Sequence, residues 1–524
     1  MLINMRLFLF LISCIISVFI LIPLFYLLFH VFIDPNSLQH LLSLNVFTVL
    51  FNSIVLALIV TILSITISLP AAFLTTRTNL PMKKFWTVVF VLPLSIPSYI
   101  GSFTIISIFV SKDTLLYNFL EMFGINLFSS IYGWTGTIIV LTLFSYPFLY
   151  LTIRSSFLNL DPQLDEVAQT LKSNFIRRFY KITLPHILPS ILSGSLIVMF
   201  YSLSDFGTPT LMKFNSFARV IYLQYQMAFN YSSAALLSLI LFIVILVILL
   251  FEYKIRRQVS LFKVGIGSKR KLNLISLGKW LGPSLFFCII LFCLSFLFPL
   301  MIIFYWLTKG FISGIQFPSL LNIIFNTLYP SAIATIIILV ISIPFSIIVI
   351  RFPSILSNFL ERITYTSFAM PGIVVALSLV YFGVNYLLFL YQSIFMLIFA
   401  YVILFFPLLL GNLRSSLISI NPNIEEAAKS LGKSYVKIIR SVLLPILKSS
   451  IISGSALVMI AAMKELPATL LLSPIGFKTL STQVWSATED ALFTQAAFYS
   501  ILLIALSSIS VMILLSFENK NLKY

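Results

Sequence analysis

The chain has 524 residues, of which 60% are hydrophobic and only 9% charged, with a formal net charge of +18. That composition excludes a soluble globular protein, in which about a quarter of residues carry charge. Its three cysteines, Cys14, Cys288 and Cys293, fall inside apolar runs and match neither a disulfide framework nor a zinc spacing.

Taken in chain order, uncharged runs reach or exceed the ~20 residues needed to cross a bilayer many times over. Lipid offers no partner to backbone N–H and C=O groups, and the runs are continuous rather than alternating, so they read as helices and not barrel strands. The expected fold is an all-α polytopic membrane protein with twelve spans, near 7–32, 47–75, 85–110, 131–153, 188–208, 232–252, 280–307, 323–350, 363–383, 390–412, 448–468 and 493–517. The first run is too long for the apolar core of a cleaved leader and counts as a span. Gly383, Asn385 and Gln392 mark the turn between the ninth and tenth.

With the N-terminus inside, the 33 Lys and Arg fall on the cytoplasmic side except for Lys112, Lys213, Arg219, Lys309, Lys464 and Lys478. This asymmetry is the positive-inside rule, so the net charge reports topology and no nucleic-acid partner is expected. The basic stretch 253–279 reads as a cytoplasmic connector facing the anionic lipid of the bilayer.

The chain repeats itself. Phe51-Asn52, Pro70, Arg77 and Pro97 recur 274 residues later as Phe325-Asn326, Pro344, Arg351 and Pro371. From Pro147 and Arg154-Ser155-Ser156 onward the recurrence falls 260 residues later, at Pro407 and Arg414-Ser415-Ser416. The change of offset fits an extra external loop at 111–130. The expected organisation is a first half at 1–252, a linker at 253–279 and a second half at 280–524. Six spans per half give a parallel repeat, which puts corresponding loops on one face.

Each half carries one charged island, Asp161-Pro162 to Leu184-Pro185 and Asn421-Pro422 to Leu444-Pro445, and each island is followed by Ser-Gly-Ser. Asp161 and Asn421 are good helix N-caps, and proline suits the first helical position. Asp165-Glu166 and Glu425-Glu426 then place negative charge in the first turns, where the helix dipole favours it. Leu164, Val167/Ala168 and Leu171 form one apolar stripe, repeated by Ile424, Ala427/Ala428 and Leu431. Gly432 is a natural helix stop. A second short basic helix is expected to lead to Pro185 or Pro445 and the next span. A helix that merely rests on lipid does not need the same acid, small and proline positions twice, so the islands read as paired docking elements. Gly432-Lys433-Ser434 imitates the end of a phosphate-binding loop, but Ala427 stands where its glycine belongs and no strand precedes it. No nucleotide site and no cofactor are expected.

Glu426-Ala427-Ala428, Gly432, Val442 and Leu444-Pro445 resemble the coupling-loop signature of binding-protein-dependent ABC importer permeases. Glu166, Ala168, Ile182 and Leu184-Pro185 follow the same signature, with departures at Val167 and Lys172. The resemblance implies a type I permease-like fold and a transport subunit rather than an enzyme. It places the chain in a bacterial cytoplasmic (inner) membrane, and the charge distribution puts both termini in the cytoplasm. A separate ABC ATPase, in two copies, is implied to dock on Glu166, Ala168, Leu171, Leu184 and Pro185, and on Glu426, Ala427, Ala428, Leu431, Gly432, Leu444 and Pro445. An extracytoplasmic substrate-binding protein is the other implied partner.

Charges inside spans are costly and point to function. Asp205 and Glu465 are equivalent at the offset of 260, and Lys464 precedes the second. They read either as interfacial anchors, Lys464 neutralising a carboxylate, or as a polar lining at an external gate. Lys464-Glu465-Leu466-Pro467-Ala468-Thr469, with Pro474, Gly476-Phe477 and Thr479-Leu480, resembles the second-half signature of fused ferric-iron importer permeases. Asp205-Phe206-Gly207-Thr208 is similar to the first-half segment. The resemblance implies iron(III) as substrate and a path or gate at Asp205, Lys464, Glu465 and Pro467. Permeases for thiamine or other small solutes share the layout and remain the alternative. His30, His40 and His186 are scattered, so no metal site is expected. An ion-coupled secondary transporter would show several intramembrane carboxylates, and a membrane enzyme a poised acid-base constellation; the chain has neither pattern.

Overall fold

A computed structural model describes residues 2–33, 45–109, 131–160, 177, 179–226, 231–258, 274–314, 320–368 and 370–521. With its backbone bound to satisfy itself in lipid, the chain is helical almost throughout these described residues. Among the described residues the sole β feature is an isolated bridge between Thr78 and Ile275.

The first half runs α1 (Leu2–Ile33), α2 (Val46–Arg77), α3 (Lys83–Val91, prolonged by a 3-10 turn at Leu92–Ser95), α4 (Ser98–Phe109), α5 (Trp134–Asn159), α6 (Leu184–Ser204), α7 (Gly207–Leu211), α8 (Phe217–Gln226) and α9 (Tyr231–Gln258). The second half begins with α10 (Leu281–Phe292) and α11 (Phe298–Ile312), joined by a π turn at Cys293–Leu297. It continues with α12 (Leu320–Arg351), α13 (Ile355–Phe368), α14 (Gly372–Tyr386), α15 (Ile394–Ser419), α16 (Pro422–Ser430), α17 (Tyr435–Ile438), α18 (Leu444–Lys464), α19 (Pro467–Leu472), α20 (Leu480–Glu489) and α21 (Phe493–Asn521).

Among the described residues nine helices are long and apolar enough to cross a membrane. With the bent pair Lys83–Ser95 and Ser98–Ser107 and the shorter apolar helices Ser13–Phe29 and Gly372–Tyr386, every expected span has a helical counterpart. Two spans differ from expectation. The third is not one rod: it turns by 86° where Pro97 follows the 3-10 turn. The ninth is interrupted between Phe368 and Gly372, at the matching Pro371. A proline rejects the helical conformation for the residue before it, so both breaks fall where the repeat places the proline. The expected turn after the ninth span also shifts: Gly383 and Asn385 lie within α14, and the chain turns at residues 387–393. The external loop 111–130 lies outside the described residues.

The basic segment that closes the second island is not separate from the next span: α17 continues through a π turn into it as one segment, Tyr435–Lys464. Residues Phe179–Thr183 and Ile439–Leu443 are π turns that run directly into α6 and α18. Pro185 and Pro445 follow them. A proline cannot donate the amide that would close the preceding α turn, and a wider turn absorbs the missing bond.

The helices gather into two compact units. One comprises Asn45–Val220 and Ile243–Trp306, and α2, α5 and α6 form its central trio. Ser68 Oγ donates to the Tyr146 carbonyl at 2.8 Å, and the Thr75 and Tyr150 hydroxyls lie 3.0 Å apart. Helix α10 lies against α3 in this unit, with the Phe85 and Phe292 rings 6.4 Å apart. The other unit comprises Met1–Leu44, Ile221–Phe242 and Leu307–Tyr524. There α12, α15 and α18 form the corresponding trio, α21 packs beside α18, and α1 packs on α12, α13 and α14. Ile20 of α1 joins Ile338, Phe345, Phe406, Leu409, Leu413 and Val458 in its core. The sequence repeat and the compact units thus follow different boundaries.

The repeated Ser-Gly-Ser acquires a role. Gly194 sits where α6 crosses α5, and a Cβ there would overlap Thr152 Oγ1 and Leu149 Cδ1. Gly454 repeats the crossing of α18 on α15, against Leu409 Cδ1. Membrane helices gain little from apolar burial against one another, so close backbone approach at small residues decides their association. Replacing Gly454 or Gly194 with valine is expected to cost roughly 1–3 kcal/mol by overpacking. A thermal melt of the detergent-solubilised protein checks this; an unshifted melt in both variants would contradict the crossing.

Candidate functional site

The second island is a compact, capped helical element. Asn421 caps α16 by accepting from the Asn423 amide at 3.0 Å, and Pro422 occupies the first helical position. At the other end the Gly432 amide bonds the Lys429 carbonyl at 2.9 Å and the Lys433 amide the Ala428 carbonyl at 3.3 Å. These two bonds close a Schellman motif, which needs a left-handed residue; Gly432, at φ 78°, supplies it without steric cost. The helix ends where the sequence places its stop.

Exposure then sorts the expected docking residues. Glu426, Ala427, Leu431, Gly432 and Pro445 face outward, Leu444 is half-buried, and Ala428 is buried. Leu431 is 81% and Ile424 45% exposed, so two members of the apolar stripe present free surface. Beneath the loop lie Ile347, Leu417, Ile420, Leu443 and Leu447, with Phe352 and Tyr435 rings 6.1 Å apart beside them.

A further pair was not singled out from the sequence. Glu425 turns inward and pairs with Arg351, Nε to Oε1, at 2.6 Å, while its neighbour Glu426 stays outside. The signal was present: Arg351 recurs from Arg77, and the island acids recur as Asp165-Glu166 and Glu425-Glu426. A second ion pair, Arg414 with Glu361, ties α15 to α13.

Of the first island, Glu166, Ala168 and Leu171 lie outside the described residues, as do Val167 and Lys172. Leu184 and Pro185 are half-buried at the start of α6, and Phe179 meets Phe73 of α2 edge-on at 6.3 Å.

Asp205 and Glu465 stand just beyond the ends of α6 and α18, at breaks in the helical backbone rather than inside spans. Asp205 Oδ1 accepts from the Ser98 hydroxyl at 2.7 Å, and Oδ2 from the Thr208 amide at 3.0 Å. Ser98 opens α4, the helix after the Pro97 bend, so one carboxylate bridges the starts of α4 and α7. Glu465 repeats the arrangement. Its Oε1 accepts from the Ala468 amide at 3.3 Å and lies so close to Gly372, first residue of α14, that a Cβ there would overlap it. Helix starts carry partial positive charge, which stabilises both acids where they stand. The Glu465 carbonyl takes the Thr469 and Ser481 hydroxyls at 2.7 and 3.2 Å, and Thr469 in turn meets Tyr401 at 2.7 Å. Lys464 and Pro467 flank Glu465, both half-buried.

His30 and His40 lie outside the residues whose side chains are described; His186 Nδ1 bonds the Ile182 carbonyl at 2.7 Å within its own turn. Among the described residues no three His, Cys, Asp or Glu side chains group as metal ligands.

A family model described as "Binding-protein-dependent transport system inner membrane component" matches residues 64–260 and again residues 342–522. The chain is similar to the Fe(3+)-transport system permease protein FbpB 2 of Haemophilus influenzae, at 33% identity over 93% of each chain. The ferric transport system permease protein FbpB of Actinobacillus pleuropneumoniae is 24% identical over 88% of this chain and 70% of its own. The molybdate/tungstate transport system permease protein WtpB of Pyrococcus furiosus is 25% identical over 44% of this chain and 88% of its own, so most of it aligns with less than half of this chain.

The two carboxylates make a structural prediction. Asp205→Ala removes the shared acceptor of two helix starts and is expected to destabilise the protein by roughly 1–2 kcal/mol, with Asp205→Asn milder because it keeps an oxygen in place. Gly372→Ala, which pushes against Glu465, is expected to lower the melting temperature as well. Wild-type melts in all three would remove the capping role.

Proposed function

The chain belongs to the family of binding-protein-dependent transport system inner membrane components, and from that premise we propose that it is the permease of an ABC importer that carries iron(III) across the cytoplasmic membrane. The observation that carries the substrate is the 33% identity over 93% of both chains to a relative named for Fe(3+) transport. Two copies of the family model in one chain support a permease whose two halves are fused.

The ATP-driven step belongs to a separate ATPase, two copies of which dock on the cytoplasmic islands. Support for the second dock comes from α16: capped at both ends, it is a short rigid body that offers Glu426, Ala427 and Leu431 outward. The small Ala427 lets a partner's groove approach the helix backbone, and the exposed Glu426 offers a charge to pair. The matching residues Glu166, Ala168 and Leu171, with Leu184 and Pro185, form the first dock in this reading. An extracytoplasmic binding protein supplies the substrate, and the termini lie in the cytoplasm.

Asp205 in one unit, and Lys464, Glu465 and Pro467 in the other, are the path and gate residues in this reading. In this role the acids act through the helices they cap. Asp205 holds the starts of a short helix and of α4 with one carboxylate, and Glu465 bonds the short helix α19 while lying against the start of α14. Rotation about Pro97 therefore requires the Asp205 bonds to be exchanged, and rotation about Pro371 would move Gly372 off the Glu465 carboxylate it lies against, so each break has discrete states.

Two measurements test the reading. In proteoliposomes holding the permease and its ATPase, an iron-loaded binding protein is expected to stimulate ATP hydrolysis; stimulation by a thiamine-loaded protein instead would overturn the substrate. Replacing Glu426 with alanine is expected to weaken ATPase association and uptake together, with a smaller effect at Glu166, where the loop departs from the signature. Normal association and uptake in the Glu166/Glu426 double variant would remove the islands as docks.

A further inference from the structure

Arg351 is the last residue of α12, and its guanidinium reaches two other elements at once. Its Nε donates to Glu425 Oε1 at 2.6 Å, and its Nη2 donates to the Ile420 carbonyl at 3.1 Å. Glu425 lies in the first turn of α16, and Ile420 caps the C-terminus of α15. The cation thus sits where two helix dipoles end, and the carboxylate where a third begins, so every placement is favourable. Both side chains are 11% exposed, which limits competition from water and makes these charge-assisted bonds directional.

Little else holds α16 from the side. Ala428 is its one buried residue, while Ile424, Glu426 and Ala427 face outward. A load placed on that outer face reaches the spans through the two covalent ends of the helix and through Glu425. The covalent ends alone would let the helix pivot; the lateral tie removes that freedom and joins α12 to α15 at the same point.

We propose that Arg351 and Glu425 are a positioning pair that passes displacement of α16 to α12 and α15 together. The proposal rests on the reading of α16 as the ATPase-docking helix. It explains why two adjacent acids face opposite ways: Glu426 is offered to the partner, and Glu425 to the transmission. It also requires arginine. A lysine keeps the charge but lacks the planar fork that holds a carboxylate and a carbonyl at fixed angles.

The test uses the full complex with its ATPase and iron-loaded binding protein in proteoliposomes. ATPase retention and iron taken up per ATP hydrolysed are read for R351A, R351K, E425Q and the reversal R351E/E425R. R351A and E425Q are expected to retain the ATPase while uptake per ATP falls about tenfold, the size of a typical coupling free energy. R351K falls between. The reversal recovers part of the loss, because an ion pair re-forms while the Ile420 carbonyl loses its donor. An unchanged ratio in E425Q, which alters no shape, overturns the proposal even where R351A fails to assemble. Loss of ATPase retention in E425Q with an unshifted melt also overturns it, since the pair would then be a docking contact. Failure of the unsubstituted complex to hold an ATPase would instead refute the docking reading, and it is seen before any substitution is made.

Discussion

Inside a bilayer a backbone amide or carbonyl that leaves a helix must bring its own partner, because no water is there to supply one. The rest of the structure depends on that constraint. At the bend after α3 the Ile96 amide turns back to the Pro93 carbonyl at 3.0 Å and the Ser95 hydroxyl bonds the Leu92 carbonyl at 2.7 Å. At the break between α18 and α19, hydroxyls from Thr469 and Ser481 converge on the Glu465 carbonyl. The carboxylates of Asp205 and Glu465 complete the supply. Each break is admitted only where such partners are in place, and so each break is a built feature.

The same constraint joins the two ends of the second half. The stretch Tyr435–Lys464 is one uninterrupted 30-residue segment, widened by a π turn near its start and ended by Glu465. At 1.5 Å per residue it spans about 45 Å, enough to run from a loop on one side of the membrane to a break near the other. Gly454 lies in its second half, where α18 leans closest on α15. The π turn, the crossing point at Gly454 and the capped break therefore lie along one helical rod, with α16 just before its start. The Arg351 guanidinium binds the neighbouring ends of α12 and α15 to α16.

Much of this was legible in the sequence because it rests on local or periodic signals. Twelve apolar runs announced their helices, Asn421-Pro422 and Gly432 marked both ends of α16, and the doubled register of Pro97 with Pro371 and Asp205 with Glu465 marked equivalent places. What was not legible depends on geometry between distant segments. A run of apolar residues through Pro97 looks the same whether the helix bends a little or by 86°. Acids at the ends of α6 and α18 look like charges within a span until the backbone is seen to stop before them. Glu425 and Glu426 are indistinguishable by type, and only the fold turns one inward to an arginine 74 residues away.

Helix α1 adds a matter of timing. It is synthesised well before the helices it packs on, which begin at Leu320. At ~5–20 residues per second the ribosome needs roughly 15–60 s to reach them after α1 is complete. Throughout that interval α1 must remain in the bilayer without its partners, held by its own apolar length and Arg6. Ser17, which ends buried, meanwhile bonds the helix's own backbone, donating to the Ser13 carbonyl at 2.9 Å. The last packing step of α1 therefore comes long after its own synthesis, and the helix waits in the lipid for the second half of the chain to arrive.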